Sequence, residues 1–383
     1  MKRWNGGAAW CGVSLRAVAV TAGVILVAAL DAGTSAAQTH TPAPHTSGER
    51  WVANYDGPQS GWGPSQDEGH DIVLAPDGQR VYVSGSSYAS APGTLSPDFA
   101  TVAYDATSGE RLWAARYDGP AGGADDQADL GMSPDGSTIF VTGLSTGKGT
   151  GNDFATIAYD AATGQRLWLA RYDGPVSGSD WATALAVSPE GSTLFVTGYS
   201  HSRKGPDYGI VAYDADTGEQ RWVTHFDGPG HGTDAPKAID VSPDGSTVVV
   251  TGQGSGVDTG LCDWGTVAFD ADTGQVLWDA LYDGPASGID VGDALTTTSA
   301  GTVVVTGSIS VADTGPDWAT VAYSLDSGEK LWEESYDGDG GTDVPRAVTL
   351  APDGGSVVVT GNSWGKGTES DYATISYDAA TGE

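Results

Sequence analysis

Six aspartates recur at one fixed place in this sequence: Asp67, Asp125, Asp180, Asp234, Asp290 and Asp343 each stand nine residues before a Pro-Asp-Gly turn or its equivalent. Carboxylate oxygens gathered in a ring are the ligands a hard cation such as calcium takes. The same oxygens can instead accept hydrogen bonds from the N–H groups of their own loops. A second group breaks the regular pattern. Trp62, Trp181 and Trp364 offer flat apolar surfaces on which a sugar or an aromatic ligand could stack, and His201, Arg203 and Lys204 make a short basic stretch on an acidic chain. Their plainer readings are loop packing for the tryptophans and a solvated loop for the basic residues.

Other chemistries lack their residues. No Ser-His-Asp order, zinc-ligand spacing or phosphate loop occurs. Two of the six histidines, His40 and His45, fall in a polar N-terminal stretch, which leaves little material for acid–base work near neutral pH. Asp214-x-Asp216-x-Gly218 and Asp270-x-Asp272-x-Gly274 lack the third acidic position and the distant glutamate of a calcium loop. A carboxylate pair acting on polysaccharide stays open, because among 50 acidic residues no pair stands out. The net charge of −33 makes nucleic acid a poor partner.

Lys2, Arg3 and Arg16 precede the apolar run from Ala17 to Leu30, and Ser35-Ala36-Ala37 offers a small-x-small cleavage site. Residues 1–37 therefore read as an export signal and the chain as secreted. The run is shorter than the roughly twenty residues a membrane span needs. Cleavage would move the net charge to −35 and leave Cys262 as the one cysteine, so no internal disulfide is expected. Residues 38–48 read as a flexible lead-in.

The elements that must position the aspartates are set by a repeat. Trp51, Trp113, Trp168, Trp222, Trp278 and Trp332 are separated by 62, 55, 54, 56 and 54 residues, and a Tyr/Phe-Asp-Gly follows each at a nearly constant interval. Between Asp180 and Phe226 one repeat shows four strand-like runs, 180–188, 192–198, 208–215 and 219–226. They are divided by Pro189-Glu190-Gly191, a longer polar loop, and Asp214-Ala-Asp-Thr-Gly218. Four antiparallel strands repeated six times predict an all-β protein, a β-propeller of six four-stranded blades over residues 49–383. A fourth-type strand around Trp51 stands at one end, and the sixth repeat stops before its own at the other. The N-terminal strand is thus expected to complete the last blade and close the ring. Closure would bring Trp62 and Trp364 to neighbouring blades on one face.

Ala158-x-Asp160-x-x-Thr163-Gly164-x-x-x-Trp168 resembles the tryptophan-docking motif of propellers related to the pyrroloquinoline-quinone (PQQ) dehydrogenases. It recurs at Trp113, Trp222 and Trp278, while Ser324 replaces the aspartate before Trp332. The Val-Thr-Gly segments ending at 143, 198, 252, 307 and 361 resemble the bacterial extracellular repeat called SBBP. The resemblance implies the fold, and its members include enzymes, assembly scaffolds and proteins of unknown function. The dehydrogenases usually have eight blades and an adjacent cysteine pair beside the cofactor, and this chain has neither, so PQQ is not expected. The reading adopted is a secreted, non-catalytic propeller scaffold that binds a protein or glycan at one face, with no cofactor assigned and calcium as the cation the aspartates would take. The alternative is an enzyme on the same scaffold, either like the PQQ-dependent dehydrogenases or acting on extracellular polysaccharide.

Overall fold

A computed structural model of the chain describes residues 50–57, 67–91, 94–256, 262–286, 288–312, 315–365, 367 and 369–383. The export signal, the lead-in and Trp62 lie outside them. All regular structure among the described residues is β. Blade 1 is β1 (Asp67–Leu74), β2 (Arg80–Ala91), β3 (Thr94–Asp105) and β4 (Arg111–Tyr117). Blade 2 is β5 (Asp125–Met132), β6 (Thr138–Thr146), β7 (Asn152–Asp160) and β8 (Arg166–Tyr172). Blade 3 is β9 (Trp181–Val187), β10 (Thr193–His201), β11 (Pro206–Asp214) and β12 (Gln220–Phe226). Blade 4 is β13 (Ala235–Val241), β14 (Thr247–Ser255), β15 (Cys262–Asp270) and β16 (Val276–Tyr282). Blade 5 is β17 (Val291–Thr297), β18 (Thr302–Val311), β19 (Gly315–Ser324) and β20 (Lys330–Tyr336). Blade 6 is β21 (Val344–Leu350), β22 (Ser356–Gly365) and β23 (Glu369–Asp378).

Each sheet is an antiparallel meander in chain order, and the sixth has three strands. In blade 3 the second and third strands run further than the sequence suggests. Tyr199, Ser200 and His201 pair with Tyr208, Asp207 and Pro206, which shortens the expected loop to residues 202–205. The first strands pack against one another in series from β1 to β21, so they form the inner wall. Each of the four middle sheets therefore lies between two others, and central strands such as β14 are buried on both faces rather than alternating.

Two glycine positions in each repeat are dictated by close approach. The pairing of each first strand on the second slips by one residue, at Thr183 in blade 3. Opposite this bulge sits the glycine of Val-Thr-Gly, and a Cβ on Gly198 would lie 2.2 Å from the Trp181 carbonyl oxygen. The second is the turn glycine. Gly218 has φ +73°, and a Cβ there would lie 2.7 Å from Cδ2 of Trp168 in the preceding blade. Over that turn Trp168 Nε1 donates to Ala215 O at 2.9 Å, while Asp214 Oδ1 accepts from Thr217 N at 3.0 Å.

The same dock joins each blade to the next. Trp113, Trp222, Trp278 and Trp332 donate to Ala161, Ala271, Leu325 and Ala379 at 2.7 to 3.2 Å. Replacing the aspartate by Ser324 keeps the turn, because Gly328 N still donates to Ser324 O at 2.9 Å. Trp51 makes the equivalent bond to Ala106 O at 3.0 Å. Residues 50–57 are nevertheless not in strand conformation, and Tyr372 on β23 is 85% exposed. Its counterparts Phe99, Phe154, Tyr208, Trp264 and Trp318 are buried. Five apolar cores fill the five successive junctions between the six blades.

Candidate functional site

Antiparallel order divides the ends of the strands between two faces. One carries the tight turns after the first and third strands, alike from blade to blade. The other carries the start of each first strand, the connection between second and third strands, and the Tyr/Phe-Asp-Gly exit of the fourth. The connections between second and third strands, which vary in sequence from blade to blade, lie on this second, loop face.

The six repeated aspartates stand there, at the corners where one blade passes into the next. Each ties down its own corner. One oxygen of Asp67, Asp125, Asp180, Asp234, Asp290 and Asp343 accepts from the backbone N–H of Gly57, Gly119, Gly174, Gly228, Gly284 and Gly338 respectively. In Asp180, Asp234, Asp290 and Asp343 the other oxygen accepts from the N–H of His201, Ser255, Ser310 and Trp364 at 2.6 to 2.8 Å. The backbone-satisfying role is thus the one these contacts display. Each corner also gathers carboxylates that the sequence reading passed over: Asp207 on β11 and Asp227 after β12 converge with Asp234, and the equivalent trios at Asp98, Asp263 and Asp317 do likewise. The signal was present as an aspartate at the start of every third strand and another in every Tyr/Phe-Asp-Gly.

Of the aromatic and basic candidates, Trp181 lies against Tyr199 with ring centroids 4.6 Å apart, which makes it a packing residue rather than a free stacking surface. Trp364 is 40% exposed and covers Gly341. His201 is drawn into the fold: its Nδ1 donates to Ser179 O at 2.5 Å. Arg203 and Lys204 are exposed on the turn beside it, and Lys204 Nζ reaches Asp227 Oδ2 at 3.1 Å. The basic stretch is therefore two side chains and not three.

Beneath the corners a buried row stitches the first strands together. Asp71 Oδ2 accepts from Leu130 N at 3.2 Å, Asp129 Oδ2 from Leu185 N at 2.7 Å, and Asp240 Oδ2 from Thr297 N at 2.8 Å. Bulged residues cross the same gaps, Thr183 Oγ1 to Pro236 O at 3.0 Å and Lys237 Nζ to Asp293 Oδ1 at 2.5 Å. Burial pushes the carboxyls of Asp71, Asp129 and Asp240 up, and for Asp129 the neighbouring Asp71 adds to it. A folded-state pKa above the unfolded one favours the protonated acid in the native state. Its contribution is full below the unfolded value near 3.8 and is lost as pH rises through the folded value. Melting temperature should therefore fall as pH rises above that unfolded value. Asp129→Asn should flatten that slope by up to about 1.4 kcal/mol per pH unit for each proton no longer taken up. Calorimetry at several pH values on both proteins measures this, and identical slopes would show that Asp129 contributes nothing to the pH dependence.

A family described as outer membrane protein assembly factor BamB matches residues 26–178. No curated protein matches the sequence. Among solved structures the chain is similar to the periplasmic gluconolactonase PpgL of Pseudomonas aeruginosa, at 18% identity over 82% of each chain and a TM-score of 0.53. It is also similar to the hydrazine synthase of Kuenenia stuttgartiensis, at 14% identity over 82% of this chain and 77% of that one, with a TM-score of 0.52. At these identities the likeness speaks for the fold alone. Cys262 pairs with Ser255 across β14 and β15 and has no cysteine next to it in the sequence. Six sheets in series, joined by tryptophan docks at their junctions, make this chain a β-propeller-type repeat protein, and over residues 26–178 it is similar to the BamB-type PQQ-like repeat family.

Proposed function

We propose that the protein is a secreted, non-catalytic scaffold that binds a glycan or protein partner at its loop face. The observation that carries this is the contrast between the faces. The turn face repeats one capped turn, whereas the loop face holds Trp364, 40% exposed, and the exposed Arg203 and Lys204. The carboxylates best placed for acid–base work, Asp129 and Asp240, spend their oxygens on backbone N–H groups, and this supports a binding role over a catalytic one. The export signal read in residues 1–37 supports secretion.

Trp364→Ala should weaken binding to the glycan or protein captured at this face at least tenfold, as loss of an aromatic anchor does. It should leave stability within about 1 kcal/mol, since the ring covers a glycine at the surface. A glycan array and an extracellular-protein capture identify the ligand, and titration of wild type and variant measures the loss. Dye-linked alcohol oxidation with added PQQ, or release of sugars from polysaccharide, would replace this reading with the enzymatic one.

A further inference from the structure

The corner between blades 3 and 4 holds more negative charge than its own contacts balance. One oxygen each of Asp207, Asp227 and Asp234 lies within 4.8 Å of the other two. Calcium–oxygen distances run from about 2.3 to 2.6 Å, so two ligands on opposite sides of one ion stand about 5 Å apart. All three carboxylates are therefore close enough to share an ion. Asp234 uses both oxygens on the backbone, accepting from Gly228 N at 2.9 Å and Ser255 N at 2.6 Å. Asp227 Oδ2 accepts from Lys204 Nζ at 3.1 Å and His231 Nδ1 at 2.9 Å. Asp207 Oδ1 and Asp227 Oδ1 are buried without a hydrogen-bond donor; Asp153 Oδ1 in blade 2 is too, but there an arginine balances the carboxylate's charge. Asp207 itself is 4% exposed, so water does not reach it freely. A buried carboxylate oxygen without a donor is costly, and two beside each other are costlier still.

Blades 1 and 2 show how the fold balances this aspartate from within. Arg116 bonds Asp98 and Arg171 bonds Asp153, each at 2.7 Å. His225 occupies the same place in blade 3, one residue before the aromatic that precedes Asp-Gly. Its Nε2 meets Tyr172 Oη at 2.5 Å and not Asp207. The acid is retained and the arginine is gone. We infer that Asp207, Asp227 and Asp234 bind one calcium ion at this corner, with Asp207 Oδ1 and Asp227 Oδ1 as its inner ligands. A hard cation with flexible oxygen coordination suits three carboxylates and the adjoining loop carbonyls better than magnesium, which demands a near-ideal octahedron and gives up its waters reluctantly. The ion would brace the turn at 202–205, which carries Arg203 and Lys204.

Calorimetric titration of calcium into chelator-treated protein, in potassium chloride at physiological ionic strength, tests this. Wild type should show saturable binding and a melting temperature that rises with calcium. Asp207→Asn and Asp227→Asn should each lose one equivalent. His225→Arg, which restores the arrangement of blade 2, should lose the same equivalent while remaining folded, and it decides the matter if the asparagine variants do not fold. Asp214→Asn, in the opposite turn of the same blade, should keep it. No saturable heat in wild type, heat abolished by potassium chloride as for a diffuse ion cloud, or full stoichiometry in His225→Arg would overturn the assignment.

Discussion

Trp168→Ala should cost about 3–5 kcal/mol, the range for truncating a buried aromatic side chain. The indole is 9% exposed and stands between Phe140 and Tyr213, with centroids 5.9 and 6.3 Å away. It also sits on Gly218 and donates to Ala215 O at 2.9 Å. Truncation thus opens a cavity at the junction of blades 2 and 3 and leaves a buried carbonyl without its donor, two losses that the rigid sheets on either side cannot close over. Chemical denaturation followed by tryptophan fluorescence measures the change. A loss below 1 kcal/mol would mean that the docked ring contributes little beyond covering surface. Trp51→Ala makes a useful pair. Trp51 has the same hydrogen bond, to Ala106 O at 3.0 Å, and the same contact, with Gly109, but its ring is only partly buried. Its cost should fall below that of Trp168 unless a further blade surface covers it.

Deleting residues 50–56 should have the largest effect of all, on association as well as stability. Arg50-Trp-Val-Ala-Asn-Tyr-Asp56 echoes the fourth strand of a blade and docks on blade 1 as a fourth strand would, yet it is not hydrogen-bonded into a sheet. The sixth sheet ends at β23, and a strand edge with unpaired N–H and C=O groups is a template for another chain. Closure of the ring by this segment is the expectation that the deletion tests. Without it, blade 1 loses the cover over Tyr104, whose ring lies 6.3 Å from that of Trp51, and β23, at the edge of the three-stranded sixth sheet, loses a segment whose sequence resembles a fourth strand. Light scattering should show the shortened protein associating, with calorimetry showing a lower melting temperature. A monomer with an unchanged melting temperature would show that residues 50–56 neither complete the sixth blade nor stabilise the first.

Local structure was legible in the sequence because it depends on neighbours a few residues apart. Pro189-Glu190-Gly191 is a turn wherever it is placed, and Asp214 with Thr217 and Gly218 carries its own hydrogen bonds. A period of about 54 residues then forces one sheet per repeat, each packed on the last. Even the two close-approach glycines follow from the repeat, since every copy meets the same neighbour. The functional site was legible only in part. Asp234 and its five equivalents could be picked out by spacing, but spacing could not say that their oxygens go to glycine N–H groups. It also could not say that Asp207 and Asp227, from a third strand and a fourth-strand exit, stand beside Asp234 of the following blade. Trp181 and His201 looked like ligand residues until the partners that engage them, Tyr199 and Ser179, were in place. What tertiary structure alone decided is the balance of charge at each corner. Whether the residue before Tyr-Asp-Gly or Phe-Asp-Gly reaches the buried aspartate depends on where a side chain from one strand points across its neighbour. That is why Arg171 pairs with Asp153, while His225 turns to Tyr172 and leaves Asp207 without an arginine, although each aspartate keeps one buried oxygen without a donor.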